Sequence, residues 1–350
     1  MSPLSALWAA LRVYAAGVAV VVAQLLRRCR GGFVEPVFSP QPDRVAIVTG
    51  GTDGIGFATA KRLARLGMTV ILAGNNEPKA EEAVARIKEE TLNDRVDFLY
   101  CDLASLRSVR CFVDAFKRKN LPLHVLVNNA GVMMVPQRRT VDGFEEHFGV
   151  NYLGHFLLTR LLLDTLVRSG RAGRSARVVT VSSATHYVGT LDLDDLQSSA
   201  RYSPHGAYAQ SKLALVLFTY HLQALLAAQR QPVTANVVDP GVVNTELYRH
   251  VFWGPCLRAK MPMTWCFFKS PDEGAWTSVY AAVAPELEGV GGRYLYNERE
   301  ARSLAATYDP ELQRRLWARS CLMAGLPDAA ADARGAQRED AGLGPAPAAP

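Results

Sequence analysis

Val45-Ala-Ile-Val48 runs without a break into Thr49-Gly-Gly-Thr-Asp-Gly-Ile-Gly56 and then into a helical pattern from Phe57 to Leu66. A short β-branched run, a glycine-rich turn and a helix start in that order leave little freedom for the fold. The strand must be buried, the turn must bend sharply, and the helix must return across the sheet. The same order builds a cradle for phosphate. Gly50, Gly54 and Gly56 let the backbone approach a pyrophosphate, while the helix start offers free N–H donors and a partial positive charge. The glycines are not spaced as in the usual G-x-G-x-x-G fingerprint, so that motif is not claimed as written.

Strand and helix signals alternate from Arg44 onward. Strands are expected at Val45–Thr49, Thr69–Ala73, Asp97–Cys101, Val125–Val127, Arg177–Val181, Thr234–Val238 and Arg293–Tyr296. Helices fit between them at Gly54–Leu66, Pro78–Glu90, Leu106–Lys117, Phe144–Leu166, Ala207–Ala228 and Asp272–Ala282. The expected class is α/β, a single doubly wound Rossmann-type parallel sheet with helices on both faces. Functional turns then fall at the carboxyl ends of strands, where ligands bind in open α/β sheets. The chain of 350 residues, 49% hydrophobic, suffices for one such domain with a full core.

Two further turns carry chemistry. Val125-Leu-Val127 ends in Asn128-Asn-Ala-Gly131, and a second β-branched run ends in Ser182-Ser183, upstream of Tyr208-Ala-Gln-Ser-Lys212. A tyrosine and a lysine four residues apart lie one turn apart on one helix face, so the ammonium can favour the phenolate. A phenol of pKa ~10 is otherwise a poor base at neutral pH. The spacing alone is common in helices; its company gives it meaning.

T-G-x-x-x-G-x-G at Thr49 to Gly56, N-N-A-G at Asn128 to Gly131 and Y-x-x-x-K at Tyr208 to Lys212 together resemble the short-chain dehydrogenase/reductase family. The resemblance runs from about Asp43 to about Leu322. The Y-A-Q-S-K-L-A-L-V-L-F-T run, the segment His186 to Leu196 and Pro271-Asp-Glu-Gly-Ala275 are similar to its retinol-dehydrogenase-like branch. The resemblance implies an NAD(P)-dependent enzyme interconverting a lipophilic alcohol and its carbonyl: a long-chain isoprenoid, or alternatively retinol or a steroid. It implies Tyr208 as proton acceptor or donor at the alcohol oxygen, with Lys212 supporting it and holding the nicotinamide ribose. It makes Ser183 the partner of the substrate oxygen, with Ser182 as runner-up, and gives Asn151 a proton-relay water. The cofactor residues implied are Gly50, Thr52, Asp53, Gly54, Ile55, Gly56, Asn75, Asp102, Asn129, Ala130, Gly131, Tyr208, Lys212, Pro240, Gly241, Val243 and Thr245. Asp239-Pro-Gly-Val-Val-Asn-Thr245 would close over the nicotinamide.

NAD or NADP is the cofactor expected. After Ala73 the chain reads Gly74-Asn75-Asn76, with neither the acid that binds a ribose 2′-hydroxyl nor the arginine that binds a 2′-phosphate. Asn75 can bond either group, or Asn75 and Asn76 can merely form a turn before Pro78. Asp102 matches the family's adenine-binding aspartate, and it can equally serve the start of the next helix. No metal-ligand spacing occurs among the six scattered cysteines, and no glycosylation acceptor occurs anywhere. The net charge of +6 is interspersed with acids, so no nucleic-acid partner is expected; the oligomeric state is not written in the sequence.

From Leu4 to Leu26 the sole charged residue is Arg12, and Arg27-Arg28-Cys29-Arg30 follows. A run of this length can cross a core of ~30 Å as a helix, and the basic flank favours a cytosolic domain. Residues 1–30 therefore read as a membrane anchor, with a cleaved signal or a peripheral helix as the alternatives. Residues 31–42 form a linker, 43–326 the catalytic domain and 327–350 a disordered tail rich in Ala, Pro and Gly. An endoplasmic reticulum or lipid-droplet membrane with a cytosolic domain is the location expected, and secretion the alternative. Leu191 to His205 reads as an inserted loop, because 25 residues separate Ser183 from Tyr208. Tyr248 to Phe268, dense in aromatics, methionines and cations, suits a lid over a lipid site at a membrane surface. A function of a different class, an interaction protein on a retired scaffold, is opposed by the intact Ser183, Tyr208 and Lys212.

Overall fold

A computed structural model describes residues 3–200, 202–247 and 267–327. The lid expected from Tyr248 lies outside the described residues except for Phe267 and Phe268, and the expected tail lies outside them from residue 328.

Seven parallel strands, β1 (Val45–Thr49), β2 (Thr69–Gly74), β3 (Val96–Tyr100), β4 (Val125–Asn128), β5 (Ala176–Val181), β6 (Val233–Asp239) and β7 (Tyr294–Tyr296), are joined by an antiparallel edge strand, β8 (Arg299–Ala301). The order is β3-β2-β1-β4-β5-β6-β7-β8. The central strands β1, β4, β5 and β6 are buried at every position, which is why they read as Val-rich segments without an exposed polar alternation. The sequence reversal between β1 and β4 opens a crevice at their carboxyl ends.

Among the described residues, beyond α1 (Pro3–Cys29), seven helices cover the two faces: α2 (Gly54–Arg65), α3 (Glu77–Thr91), α4 (Leu106–Arg118), α5 (Gly154–Ser169), α6 (Pro204–Ala228), α7 (Pro271–Val283) and α8 (Pro310–Ala324). One core layer packs Phe112 and Phe116 of α4, Phe156 of α5, Phe218 of α6 and Trp317 of α8 together. The opposite layer joins Leu63 of α2, Ile87 of α3 and Val279 of α7. The helix expected from Phe144 to Leu166 is broken: Phe148–Leu153 is a π-helical turn, and only then does α5 begin. Gly154 lies where an added Cβ would stand 2.7 Å from the Leu103 carbonyl oxygen, so this contact demands glycine.

Helices α1 and α6 are both long and apolar enough to cross a membrane, but α6 is largely buried in the core. Helix α1 instead lies against the domain. Gln24 is fully buried, and Arg28 bonds the Phe268 carbonyl and Glu273.

Candidate active site

The carboxyl end of β1 is built by local necessity. Gly50 has φ +63°, a left-handed conformation that favours glycine. A Cβ on Gly56 would lie 2.1 Å from the Gly50 carbonyl oxygen and 2.5 Å from Asn129 Nδ2. The first turn of α2 therefore sits directly on the strand-to-helix turn, with Asp53 capping it by accepting the Gly54 N–H. The neighbouring strand is tied in: Thr49 Oγ1 accepts the N–H groups of Asn129 and Ala130, and Asn129 Nδ2 donates to the Thr49 carbonyl at 2.9 Å. These ties hold the two glycine-rich turns as one rim.

Tyr208 and Lys212 sit on α6, one turn apart and both buried. The Lys212 ammonium donates to the Val181 carbonyl at 3.1 Å and lies 5.8 Å from the centre of the Tyr208 ring. Burial lowers the lysine pKa to about 8, and the Asp239 carboxylate opposes that shift. The two serines separate clearly. Ser182 Oγ donates to the Lys212 carbonyl at 2.9 Å and pins α6 to β5. Ser183 caps the 3₁₀ turn Ala184–Val188 by accepting the Thr185 N–H at 3.3 Å.

Asn151, for which a relay water was expected, sits in a packed hydrogen-bond network. It lies behind the cavity wall, fully buried, in the π-helical turn. Its side chain accepts the Val132 N–H at 2.8 Å, donates to the Val132 carbonyl at 3.0 Å and donates to Ser211 Oγ at 3.0 Å. Its carbonyl accepts from His155 Nδ1 at 2.8 Å, and His155 Nε2 accepts from the Thr49 hydroxyl at 2.8 Å. Burial lowers the His155 pKa to about 4, so the ring is neutral and links the β1 rim to Asn151. His155 was not singled out from sequence; an apolar helix face hides it.

A single cavity of ≈ 940 Å³ gathers every cofactor residue expected above, from Gly50, Thr52, Asp53, Gly54, Ile55 and Gly56 through Asn75, Asp102, Asn129, Ala130 and Gly131 to Pro240, Gly241, Val243 and Thr245, together with Ser183, Tyr208 and Lys212. Asn75 Nδ2 donates to Asp102 Oδ1 at 3.3 Å, and that oxygen also accepts the Ala104 N–H. Asn76 caps α3 by accepting the Lys79 N–H. The sequence reading missed Lys79: its ammonium, 3.8 Å from Asp53, lines this end of the cavity and supplies the cation that Gly74-Asn75-Asn76 lacks. Its place one turn into the helix after β2 was the available signal. Asp239, which accepts from the Tyr294 hydroxyl and the Gly241 N–H, fixes the loop after β6.

A backbone cradle at a helix start, a crevice at the strand reversal and a buried Tyr–Lys pair define a dinucleotide-dependent oxidoreductase. The family profile for short chain dehydrogenase matches residues 44–253. The chain is 74% identical over 328 residues to human polyprenol dehydrogenase, covering 94% of this chain and 99% of that one. It is 42% identical to human retinol dehydrogenase 13 over 316 residues, 89% of this chain and 94% of that one. Among solved structures, a protein from Mycobacterium paratuberculosis aligns with TM-score 0.65 at 35% identity, covering 83% of this chain and 96% of that one. A short-chain dehydrogenase from Burkholderia cenocepacia in complex with NADP aligns with TM-score 0.57 at 27% identity, covering 74% and 97%. This chain belongs to the short-chain dehydrogenase family and is an NAD(P)-dependent oxidoreductase. The cradle fits such a cofactor, since Gly50, Gly54 and Gly56 line the cavity at the start of α2 and a side chain at Gly56 would force the Gly50 turn apart.

Proposed function

We propose that this enzyme interconverts a long-chain isoprenoid alcohol and its aldehyde, a polyprenol being the substrate class. The observation that carries the reading is the cavity. It brings Ser183, Tyr208 and Lys212 together with the cofactor cradle, and it also carries an apolar wall of Val13, Val21, Leu25, Met133 and Met134. The identity to polyprenol dehydrogenases of human and mouse, 74% and 61%, supports the same class.

Tyr208 exchanges the hydroxyl proton, with its phenol beside the buried ammonium of Lys212. Ser183 bonds the substrate oxygen, while Ser182 is a structural residue that holds α6 in register. Asn151 is a positioning residue: its bonds to Val132 and Ser211 fix the wall that faces Tyr208 from the β4 side. Gly50 to Gly56 would hold the pyrophosphate of the cofactor, Asp102 its adenine, and Asn75 and Lys79 the ribose next to it. A bound nicotinamide supplies or accepts the hydride. The exposed apolar side chains of α1, among them Trp8 and Leu11, favour a bilayer surface as the place where the lipid is met, with the domain on the cytosolic side of an endoplasmic reticulum or lipid-droplet membrane.

The test is oxidation by the purified full chain with NAD and NADP of a polyprenol, retinol and a steroid alcohol in one detergent, with aldehyde or ketone quantified by mass spectrometry. The highest kcat/KM is expected with the polyprenol. A tenfold advantage for retinol or the steroid, about 1.4 kcal/mol of transition-state preference, overturns the substrate class.

A further inference from the structure

Helix α1 does more than carry an apolar surface. Along its length it makes specific contacts with the catalytic machinery. Val13 is buried among Met133, Met134, Tyr208 and Ala209. The Tyr14 ring lies 5.4 Å from that of His205 at the start of α6. About three turns further on, Gln24 accepts the Val242 N–H at 2.8 Å and donates to the Val242 carbonyl at 3.1 Å and to the Phe267 carbonyl at 3.3 Å. The amide thus completes the loop that follows β6 much as a neighbouring strand would. Gly241 makes room for it: φ is +80°, and a Cβ there would stand 2.4 Å from Gln24 Oε1.

With about 3.6 residues per turn, Val13, Gly17 and Gln24 share one face of α1, while Leu7 and Leu11 point away from it. Val13 and Gly17 line the cavity, the half-exposed Val18 and Val22 line it at its open edge, and Leu7 and Leu11 are exposed outside it. Gly17 stands at the cavity with nothing within 4 Å of where a Cβ would be.

We propose that α1 is the outer wall of the substrate cavity, clamped by Gln24 to the loop after β6, and that the space beside Gly17 receives the chain of a long alcohol. The chain-length part rests on the polyprenol reading. The wall itself does not. Gly17 is a specificity residue by this assignment, and Gln24 a positioning residue that acts through the Val242 loop.

The experiment compares a polyprenol with a short isoprenoid alcohol in the same micelles. Gly17→Leu should raise KM for the polyprenol by about tenfold, with kcat for the short alcohol within about twofold of wild type. Gln24→Met, which keeps length and apolar bulk but loses the amide, should lower kcat/KM for the polyprenol about tenfold, and Gln24→Glu should fail to rescue it, having lost the donor to both carbonyls. Equal effects of Gly17→Leu on both alcohols, or none on either, overturn the assignment. A turnover-independent wall test uses a long alkyl maleimide on Gly17→Cys and on Leu11→Cys, each compared with the labelled wild type. The adduct at position 17 should block oxidation of the short alcohol; that at position 11 should not. If wild type oxidises the short alcohol but no polyprenol, the substrate reading fails while this comparison still decides the wall. Equal inhibition from both positions sinks the wall.

Discussion

Replacing Gly56 by alanine adds one methyl group, and the structure says what it meets. The new Cβ would lie 2.1 Å from the Gly50 carbonyl oxygen, 2.5 Å from Asn129 Nδ2 and 2.8 Å from the Gly50 carbonyl carbon. Two of these are backbone atoms of the turn, and the third belongs to a side chain held at 2.9 Å by the Thr49 carbonyl, so neither yields cheaply. Real carbon contacts below 3.0 Å are essentially absent, which makes the required displacement of the turn about 1 Å. A misplacement of ~1 Å at a binding or reacting group costs on the order of 10²-fold, equivalent to roughly 2.7 kcal/mol. Gly56→Ala should therefore weaken NADH and NADPH about a hundredfold in a fluorescence titration. The matched control is Gly74→Ala at the end of β2, also on the cavity, where the Cβ would meet only Thr52 Cγ2 at 3.6 Å. Its dissociation constants should stay within about threefold of wild type. Near-wild-type affinity in Gly56→Ala, with the variant folded by thermal melting, would refute the claim that this contact shapes the cradle.

Tyr208→Phe should reduce kcat by about 10²–10⁴-fold and leave cofactor affinity nearly unchanged; retention of more than about a tenth of wild-type turnover removes the phenol from the proton path. Asn75→Arg should improve NADPH binding relative to NADH and Asn75→Asp the reverse, while Lys79→Ala should weaken NADPH more than NADH; unchanged ratios in all three would assign this corner a purely structural role. Burial depresses both Lys212 and Lys269 to about 8, and Lys269, fully buried, holds its ammonium 4.8 Å from the Phe33 ring with no hydrogen-bond partner among the described residues. Between about pH 8 and the unfolded value of ~10.4 the unfolded chain binds more protons, so folding stability rises with pH there, by up to ~1.4 kcal/mol per unit for each group. Lys269→Met should flatten that rise in urea titrations run from pH 7 to 10; an unchanged slope would rule Lys269 out as a source.

The sheet was legible because buried parallel strands cannot alternate. Strands β1, β2 and β4 read as Val, Ile or Leu runs closed by a turn residue, and the expected spans differ from the observed ones by at most a residue at each end. The rim was legible because its glycines answer to backbone geometry. The choice between Ser182 and Ser183 was not, since both fit the same tripeptide and only the Lys212 carbonyl, thirty residues away, separates them. The π-helical turn had no signature either. Its effect is to aim Asn151 at Val132 rather than at the cavity, a matter of i→i+5 bonding that residue types do not encode. The short edge strand β8 and helix α8 were passed over because neither carries a strong period and both gain their order from packing against the finished sheet.

Hydropathy marks α1 as one apolar run, since a window average sums over all directions around the helix and cannot tell a face that meets lipid from a face that meets protein. The residue that breaks the degeneracy is Gln24. Were α1 to leave the domain and enter a bilayer alone, its amide would give up its bonds to Val242 and Phe267. Each buried polar group left unpaired costs about 1–3 kcal/mol. Val13 would at the same time uncover Met133, Met134 and Tyr208. Docking satisfies the amide and keeps these side chains covered, while the exposed Leu7, Trp8, Leu11 and Leu26 stay available to a membrane surface and Val18 and Val22 border the cavity mouth between the two. On this geometry, holding the enzyme at a lipid surface and closing its lipid-binding cavity are tasks of adjoining faces of the same helix. Truncating α1 should therefore impair chemistry on long alcohols even when they are delivered in solution, which loss of a simple tether would not do.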